Sequence, residues 1–300
     1  MPQKFFADIG SSTAKLYSYN GAQVELVDEN SLQFKYSFTP ETGIAADKIE
    51  LLIKHFNSLK GKYSLSPANF RSVATGIWRE IPKDQLEQVK AKFAALNLPF
   101  EVISHELEAH YSKLATRFNA NSKKMMIINM GGKTTEVLTV SPDGSEKAQL
   151  LQIGAADLTA AFLPRVNQPH SGASIEEMEA HVAAAIKDVA FDMDYDFALY
   201  MGELRAQTLV GYSMRPNVLF SDPNHPYMET FEDFVAGARK MFFEMTYAEL
   251  EALTPHNPKW WVGGRAGAVL PLAIFRKAGI KWIVPSELNL AHGAVKEIFG

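Results

Sequence analysis

The sequence predicts an α/β protein made of two related halves, and three observations carry that expectation. First, one short pattern occurs twice, over Phe5–Tyr17 and again over Met126–Leu138. Each copy is an apolar strand ending in Asp or Asn, a tight polar turn and a second strand. Asp8 thereby pairs with Asn129, Gly10 with Gly131, and Thr13 with Thr134. Second, strand-like and helix-like spacings alternate after each copy, the order of a mixed sheet with crossover helices. Third, 300 residues at 47% hydrophobic and 21% charged are enough to fill two cores and exclude wholesale disorder.

Taken in order, Lys4–Ile9 and Thr13–Tyr19 read as strands. Asn20-Gly21 is a two-residue hairpin signal leading into a strand at Gln23–Val27, and another strand is expected around Leu32–Phe38. Ile49, Leu52, Ile53 and Phe56 recur at helical spacing, so Ala45–Leu59 is expected to be a helix that stops at Gly61. Strand Ser72–Thr75, helix Lys83–Leu96, strand Phe100–Ile103 and helix Glu106–Arg117 follow.

The polar run Asn119-Ala120-Asn121-Ser122 marks the boundary between a first domain, 1–120, and a second, 123–285. In the second half the strands are Met125–Asn129, Thr134–Val140 and Ala148–Ile153, with a turn at Pro142-Asp143-Gly144. Ser174 and Glu177 form a capping-box pair opening a helix to about Asp188. Strand Phe197–Met201, one or two helices in Phe231–Leu253, helix Ala266–Lys277, strand Lys281–Val284 and helix Leu290–Phe299 complete the chain.

The formal net charge of −4 argues against broad nucleic-acid binding. The chain has no cysteine, which excludes disulfides, thiolate metal sites and cysteine nucleophiles. The apolar run Ala266–Phe275 is too short to span a membrane, and the start reads as a strand rather than a signal segment. A cytoplasmic location without membrane partners is expected.

The turns carry the chemistry. Glycine lets backbone approach a ligand, hydroxyls and bared N–H groups suit phosphate oxygens, and an Asp at the strand end can hold the accompanying metal. Two such hairpins suggest halves facing one another across a phosphate-binding cleft. The doubled hairpin resembles the phosphate motifs of the actin, sugar-kinase and heat-shock-chaperone superfamily. Ala74-Thr75-Gly76-Ile77-Trp78-Arg79-Glu80, Glu101–Ala109, Gln152–Thr159 and the ending Ser286–Gly300 narrow the likeness. Those segments resemble the exopolyphosphatase and guanosine-pentaphosphate phosphatase (Ppx/GppA) family.

The resemblance implies two ribonuclease-H-like, actin-like ATPase domains with an interdomain cleft, the final helix (about 286–300) packing back on the first domain. It implies metal-dependent hydrolysis of phosphoanhydrides, with Mg²⁺ or Mn²⁺ as cofactor and polyphosphate or a phosphorylated guanosine nucleotide as partner; a homodimer stays open. By position, Glu108 falls on the catalytic glutamate and Glu136 on a second carboxylate near the water or metal. Asp8 and Asn129 fall on the metal positions, and Arg79 on an arginine that contacts phosphate. The phosphate loops are Gly10, Ser11, Ser12, Thr13 and Gly131, Gly132, Lys133, Thr134.

Three departures stand out. Asn129 replaces an Asp, Lys133 replaces a third glycine, and Gly202-Glu203-Leu204 replaces a Gly-Gly-Thr turn. Asn129 is either a weaker, uncharged ligand or a structural hydrogen-bonding residue, and both readings stay open. Lys133 either adds charge toward phosphate or points to solvent. Glu108 lies in a helical stretch where a surface glutamate is the ordinary case, and Arg79 could instead pair with a carboxylate such as Glu80. The two histidines in His105–His110 are five residues apart, about 140° around a helix, and do not share a metal. A P-loop is excluded because Ile127 stands where its upstream glycine belongs. Exopolyphosphatase-like hydrolysis is the reading; the alternative is a phosphate or nucleotide sensor that has lost turnover.

Overall fold

A computed structural model describes residues 3–116, 123–168 and 173–300; the expected boundary at 119–122 lies outside the described residues. The chain forms two compact units, Met1–Thr116 with Leu290–Gly300, and Arg117–Asn289.

The first unit runs β1 (Lys4–Ile9), β2 (Thr13–Tyr19), β3 (Val24–Ser31), α1 (Ala46–Tyr63), β4 (Phe70–Ala74), α2 (Lys83–Ala95), β5 (Glu101–Val102) and α3 (His105–Ala115), and the C-terminal helix Leu290–Phe299 joins it. Its sheet has the order β3-β2-β1-β4-β5. The first three strands are antiparallel, and β4 runs parallel to both β1 and β5. Strand alternation sorts β1 between two cores. Phe5, Ala7 and Ile9 meet Leu52, Phe56, Val89 and Phe93 of α1 and α2, while Phe6 meets Tyr111, Leu290 and Val295 of α3 and the C-terminal helix. Asp8 shares the Phe6 side by the same period of two. Gly293 allows the C-terminal helix to lie against α3, because a Cβ there would run into the Tyr111 carbonyl and the Ala115 nitrogen.

Two local expectations fail here. The strand expected at Leu32–Phe38 is a 3₁₀ turn, Phe34–Ser37. Gln33 adopts a left-handed conformation (φ 56°), and the Gln33 and Lys35 N–H groups donate to the Ser12 and Ser11 carbonyls. This segment braces the first turn instead of extending the sheet. Helix α1 passes through Gly61 to end at Tyr63, capped by left-handed Ser64 (φ 52°). The weak breaker is outweighed by the continuing apolar face, on which Leu59 is buried.

The second unit runs β6 (Met125–Met130), β7 (Thr135–Val140), β8 (Glu146–Leu151), α4 (Ala155–Phe162), α5 (Ile175–Ala185), β9 (Phe197–Met201), α6 (Leu204–Val210), β10 (Arg215–Pro216), β11 (Tyr227–Thr230), α7 (Phe231–Arg239), α8 (Tyr247–Ala252), α9 (Gly264–Ala278) and β12 (Trp282–Ser286). A π-helical turn, Lys240–Glu244, separates α7 from α8. The sheet order is β10-β11-β12-β9-β6-β7-β8. Without the added β10 and β11, it repeats the third-second-first-fourth-fifth order of the first unit. Strands β6, β7 and β8 are antiparallel, and β9 runs parallel to both β6 and β12. Each unit therefore carries the ribonuclease-H-like arrangement. Helix α9 is buried over most of its length, from Arg265 to Phe275 and again at Ala278. No helix among the described residues is long and apolar enough to cross a membrane.

Candidate active site

In the first unit the Gly10 N–H donates to the Thr13 carbonyl across 2.9 Å, closing the turn between β1 and β2. The carbonyls of Gly10, Ser11 and Ser12 accept from Trp78 Nε1, Lys35 N–H and Gln33 N–H. Ser11 Oγ, in a buried side chain, accepts from the Ile77 N–H at 3.3 Å. The three carbonyls of the turn are thereby tied to protein donors. Ser12 and Thr13 complete it, both half-buried.

Asp8 stands opposite Lys15 in the β1–β2 register, and Lys15 Nζ lies 3.6 Å from Glu29 Oε1. Burial pushes the Asp8 carboxyl up to about 7; Lys15 opposes the shift and Glu108 adds to it. Asp8 Oδ1 is sealed from solvent with no hydrogen-bond partner among the described residues. A buried carboxylate oxygen of that kind fits a hard divalent cation.

Glu108 sits in the first turn of α3, which Ser104 caps by accepting from the Leu107 N–H at 3.2 Å. The helix N-terminus favours a negative charge there. Glu108 is only 9% exposed, unlike a surface glutamate. Arg79, at the end of a 3₁₀ turn after β4, donates through Nη1 to Glu108 Oε2 at 2.8 Å and to the Ile103 carbonyl at 3.1 Å. Asp8, Arg79 and Glu108 thus form one cluster.

The second unit repeats the turn: the Gly131 N–H donates to the Thr134 carbonyl at 2.8 Å. Here the clamp is different. The Ala155 and Ala156 N–H groups at the start of α4 donate to the Gly131 and Gly132 carbonyls at 3.0 and 2.7 Å. Gly154 makes this possible, since a Cβ there would strike the Gly132 carbonyl and the Lys133 nitrogen. Glu136 stands opposite Asn129 in register. Its Oε2 accepts from Asn129 Nδ2 at 3.2 Å and its Oε1 from Thr134 Oγ1 at 3.4 Å. Gly132 and Lys133 are half-buried within the turn.

The sequence model of the Ppx/GppA phosphatase family matches residues 33–221. The chain belongs to this family. Among solved structures, a Ppx/GppA family member from Aquifex aeolicus is 19% identical, with TM-score 0.68, over 99% of this chain and 97% of that one. An exopolyphosphatase from Cytophaga hutchinsonii is 12% identical, with TM-score 0.69 and the same coverages, 99% and 97%. An exopolyphosphatase-like protein reaches TM-score 0.73 at 17% identity, again over 99% and 97%. Identities this low establish the fold these proteins share. No curated protein sequence matches.

Within this Ppx/GppA protein, two positioning features escaped the sequence reading. Lys15 could have been found by counting the hairpin register outward from Gly10. Gly154 lies in a segment that carried the family resemblance, but close backbone approach leaves no mark on a single sequence. His110 bonds Glu297 at 2.6 Å. In the second unit, Ser286 Oγ lies 2.9 Å from His225 Nε2, and His225 Nδ1 lies 3.5 Å from Asp222. The trio has the composition of a hydrolytic triad, but Ser286 is 0% exposed, so no substrate reaches its oxygen.

Proposed function

We propose that this chain removes terminal phosphates from polyphosphate or guanosine pentaphosphate, with Asp8 holding a divalent cation. The observation carrying the proposal is the buried Arg79–Glu108 pair beside Asp8, in a member of a phosphatase family. Phosphoryl transfer to water needs charge neutralisation on the transferring group and an oriented nucleophile. Glu108 is the group that orients the water and takes its proton, and the Arg79 contact holds that carboxylate in place. The remaining Arg79 donors are suited to a phosphate oxygen, and the Gly10–Thr13 turn supplies further donors. Glu136, with Lys133 and Thr134, is the corresponding equipment of the second turn. A magnesium or manganese ion, when bound, supplies charge neutralisation on the phosphoryl oxygens.

A second reading, a sensor that binds phosphates without splitting them, is favoured by the neutral amide of Asn129. The two separate in one assay: phosphate release from long-chain polyphosphate, then from guanosine pentaphosphate, with Mg²⁺ or Mn²⁺. Glu108→Ala is expected to lower release about 10²–10⁴-fold while keeping the native circular-dichroism spectrum. Undiminished release in a folded Glu108→Ala protein removes its assigned role. Ligand binding without any release by wild type selects the sensor.

A further inference from the structure

Three consecutive residues of one short 3₁₀ turn, Gly76–Arg79, each reach a different part of the first unit's site. The Ile77 N–H donates to Ser11 Oγ at 3.3 Å, Trp78 Nε1 to the Gly10 carbonyl at 3.2 Å, and Arg79 Nη1 to Glu108 Oε2 at 2.8 Å. Gly76 lets the 3₁₀ turn lie this close, since its φ is 63° and a Cβ there would strike Ser11 Oγ. The Gly10–Thr13 turn and the glutamate are therefore both referred to one short piece of backbone.

The indole contact has the most specific consequence. Trp78 is 0% exposed, with T-shaped contacts to Phe34 at 5.1 Å and to Phe100 at 5.5 Å. A ring packed against two others presents its N–H in one direction. In a trans peptide the carbonyl and the following N–H point opposite ways, so anchoring the Gly10 carbonyl turns the Ser11 N–H away from the indole. Burial does not by itself produce such a bond. Trp261 is 1% exposed, and its Nε1 has no partner among the described residues.

We infer that Trp78 is a positioning residue: its indole N–H sets the Gly10–Ser11 peptide to receive a phosphate of the substrate, as its neighbour Arg79 sets Glu108. This rests on the hydrolase reading for its kinetic consequence, but not for its binding consequence. Loss of the N–H weakens phosphate binding and leaves the Arg79–Glu108 contact in place, so KM rises and kcat is spared.

The test removes the N–H and keeps the ring. Replacing Trp78 by β-(3-benzothienyl)alanine exchanges the N–H for sulfur with little change in shape, and Trp78→Phe is a second, smaller variant. Calorimetric titration uses Mg²⁺ and methylenebisphosphonate, a diphosphate analogue that water does not split. Both Trp78 variants should bind it about tenfold more weakly than wild type. The same benzothienyl replacement at Trp261 should leave the affinity within about twofold of wild type. In polyphosphate hydrolysis both Trp78 variants should raise KM about tenfold with kcat little changed. A lower unfolding midpoint with wild-type affinity and KM marks a purely structural bond and overturns the inference. So do failure of wild type to bind the analogue, an equal loss from the Trp261 replacement, and a fall in kcat at unchanged KM. Wild type that binds the analogue but releases no phosphate defeats the hydrolase reading alone, and the calorimetric arm still decides the role of Trp78.

Discussion

Glu229 is sealed inside the second unit on β11, 0% exposed, and among the described residues neither carboxyl oxygen has a hydrogen-bond partner. Burial pushes its carboxyl up to about 8, with the Gln207 amide pulling the other way and Asp233 adding to the shift. Native protein therefore holds a proton that unfolded protein releases from about pH 4.5 upward. The sign follows: Glu229 lowers stability progressively as pH rises from about 4.5 to about 8, and the penalty levels off above that. Within this window the slope from this one group is about 1.4 kcal/mol per pH unit. Glu229→Gln should match wild type near the acidic end and exceed it increasingly toward pH 8, as read from urea melts across that range. A constant difference at all pH values would dismiss the buried proton. Arg265, 2% exposed, is handled differently: its donors go to the carbonyls of Val166, Gln168, Met241 and Met245. It ties the π-helical turn to the loop after α4, and burial lowers its guanidinium to about 10.

Among the elements, the start of α4 matters most to the second turn. Its first N–H groups lack partners within the helix, and here they are satisfied by the carbonyls of Gly131 and Gly132. That use depends on Gly154, whose missing side chain is the space the turn occupies. Gly154→Ala should displace the turn and lower phosphate release about 10–100-fold, while α4 itself, an otherwise ordinary helix, persists by circular dichroism. Activity equal to wild type would mean that the turn position is immaterial to the reaction. The first turn is held differently. It is braced by the Gln33–Lys35 segment and by Ile77 and Trp78, so equivalent hairpins are supported by unrelated neighbours.

At the scale of the molecule, the chain leaves its first unit after Thr116 and returns to it only at Leu290. Leu290, Ala291, Ala294 and Val295 complete the core formed by Phe6, Tyr17, Val73, Ile103 and Tyr111. The face of β1 that carries Asp8, and the helix that carries Glu108, are therefore finished by the last residues of the chain. A fragment ending at Thr116 should expose this face, bind a hydrophobic dye and melt with low cooperativity. The same fragment with Leu290–Gly300 fused through a flexible linker should regain a sharp transition. If both fragments melt alike, the C-terminal helix contributes little to that unit.

Much of this architecture is legible in the sequence, for stated physical reasons. The doubled hairpin has a fixed spacing of glycine, hydroxyl and acidic residues, and local turn chemistry together with period-two strands is enough to reveal it. The helices α2 and α3 and the C-terminal helix carry clear apolar spacing. The apolar side chains of Leu32–Phe38 read as a strand but serve a 3₁₀ turn whose shape is set by hydrogen bonds to Ser11 and Ser12, far from it in sequence. The pairing of Arg79 with Glu108 and the contacts at Gly154 and Gly293 were likewise beyond reach. Each depends on which strands lie side by side and how closely backbones approach. Sequence by itself determined the repeated α/β plan and the kinds of group at the turns. Tertiary structure alone decided which of those groups face one another, because register and burial are properties of the folded chain.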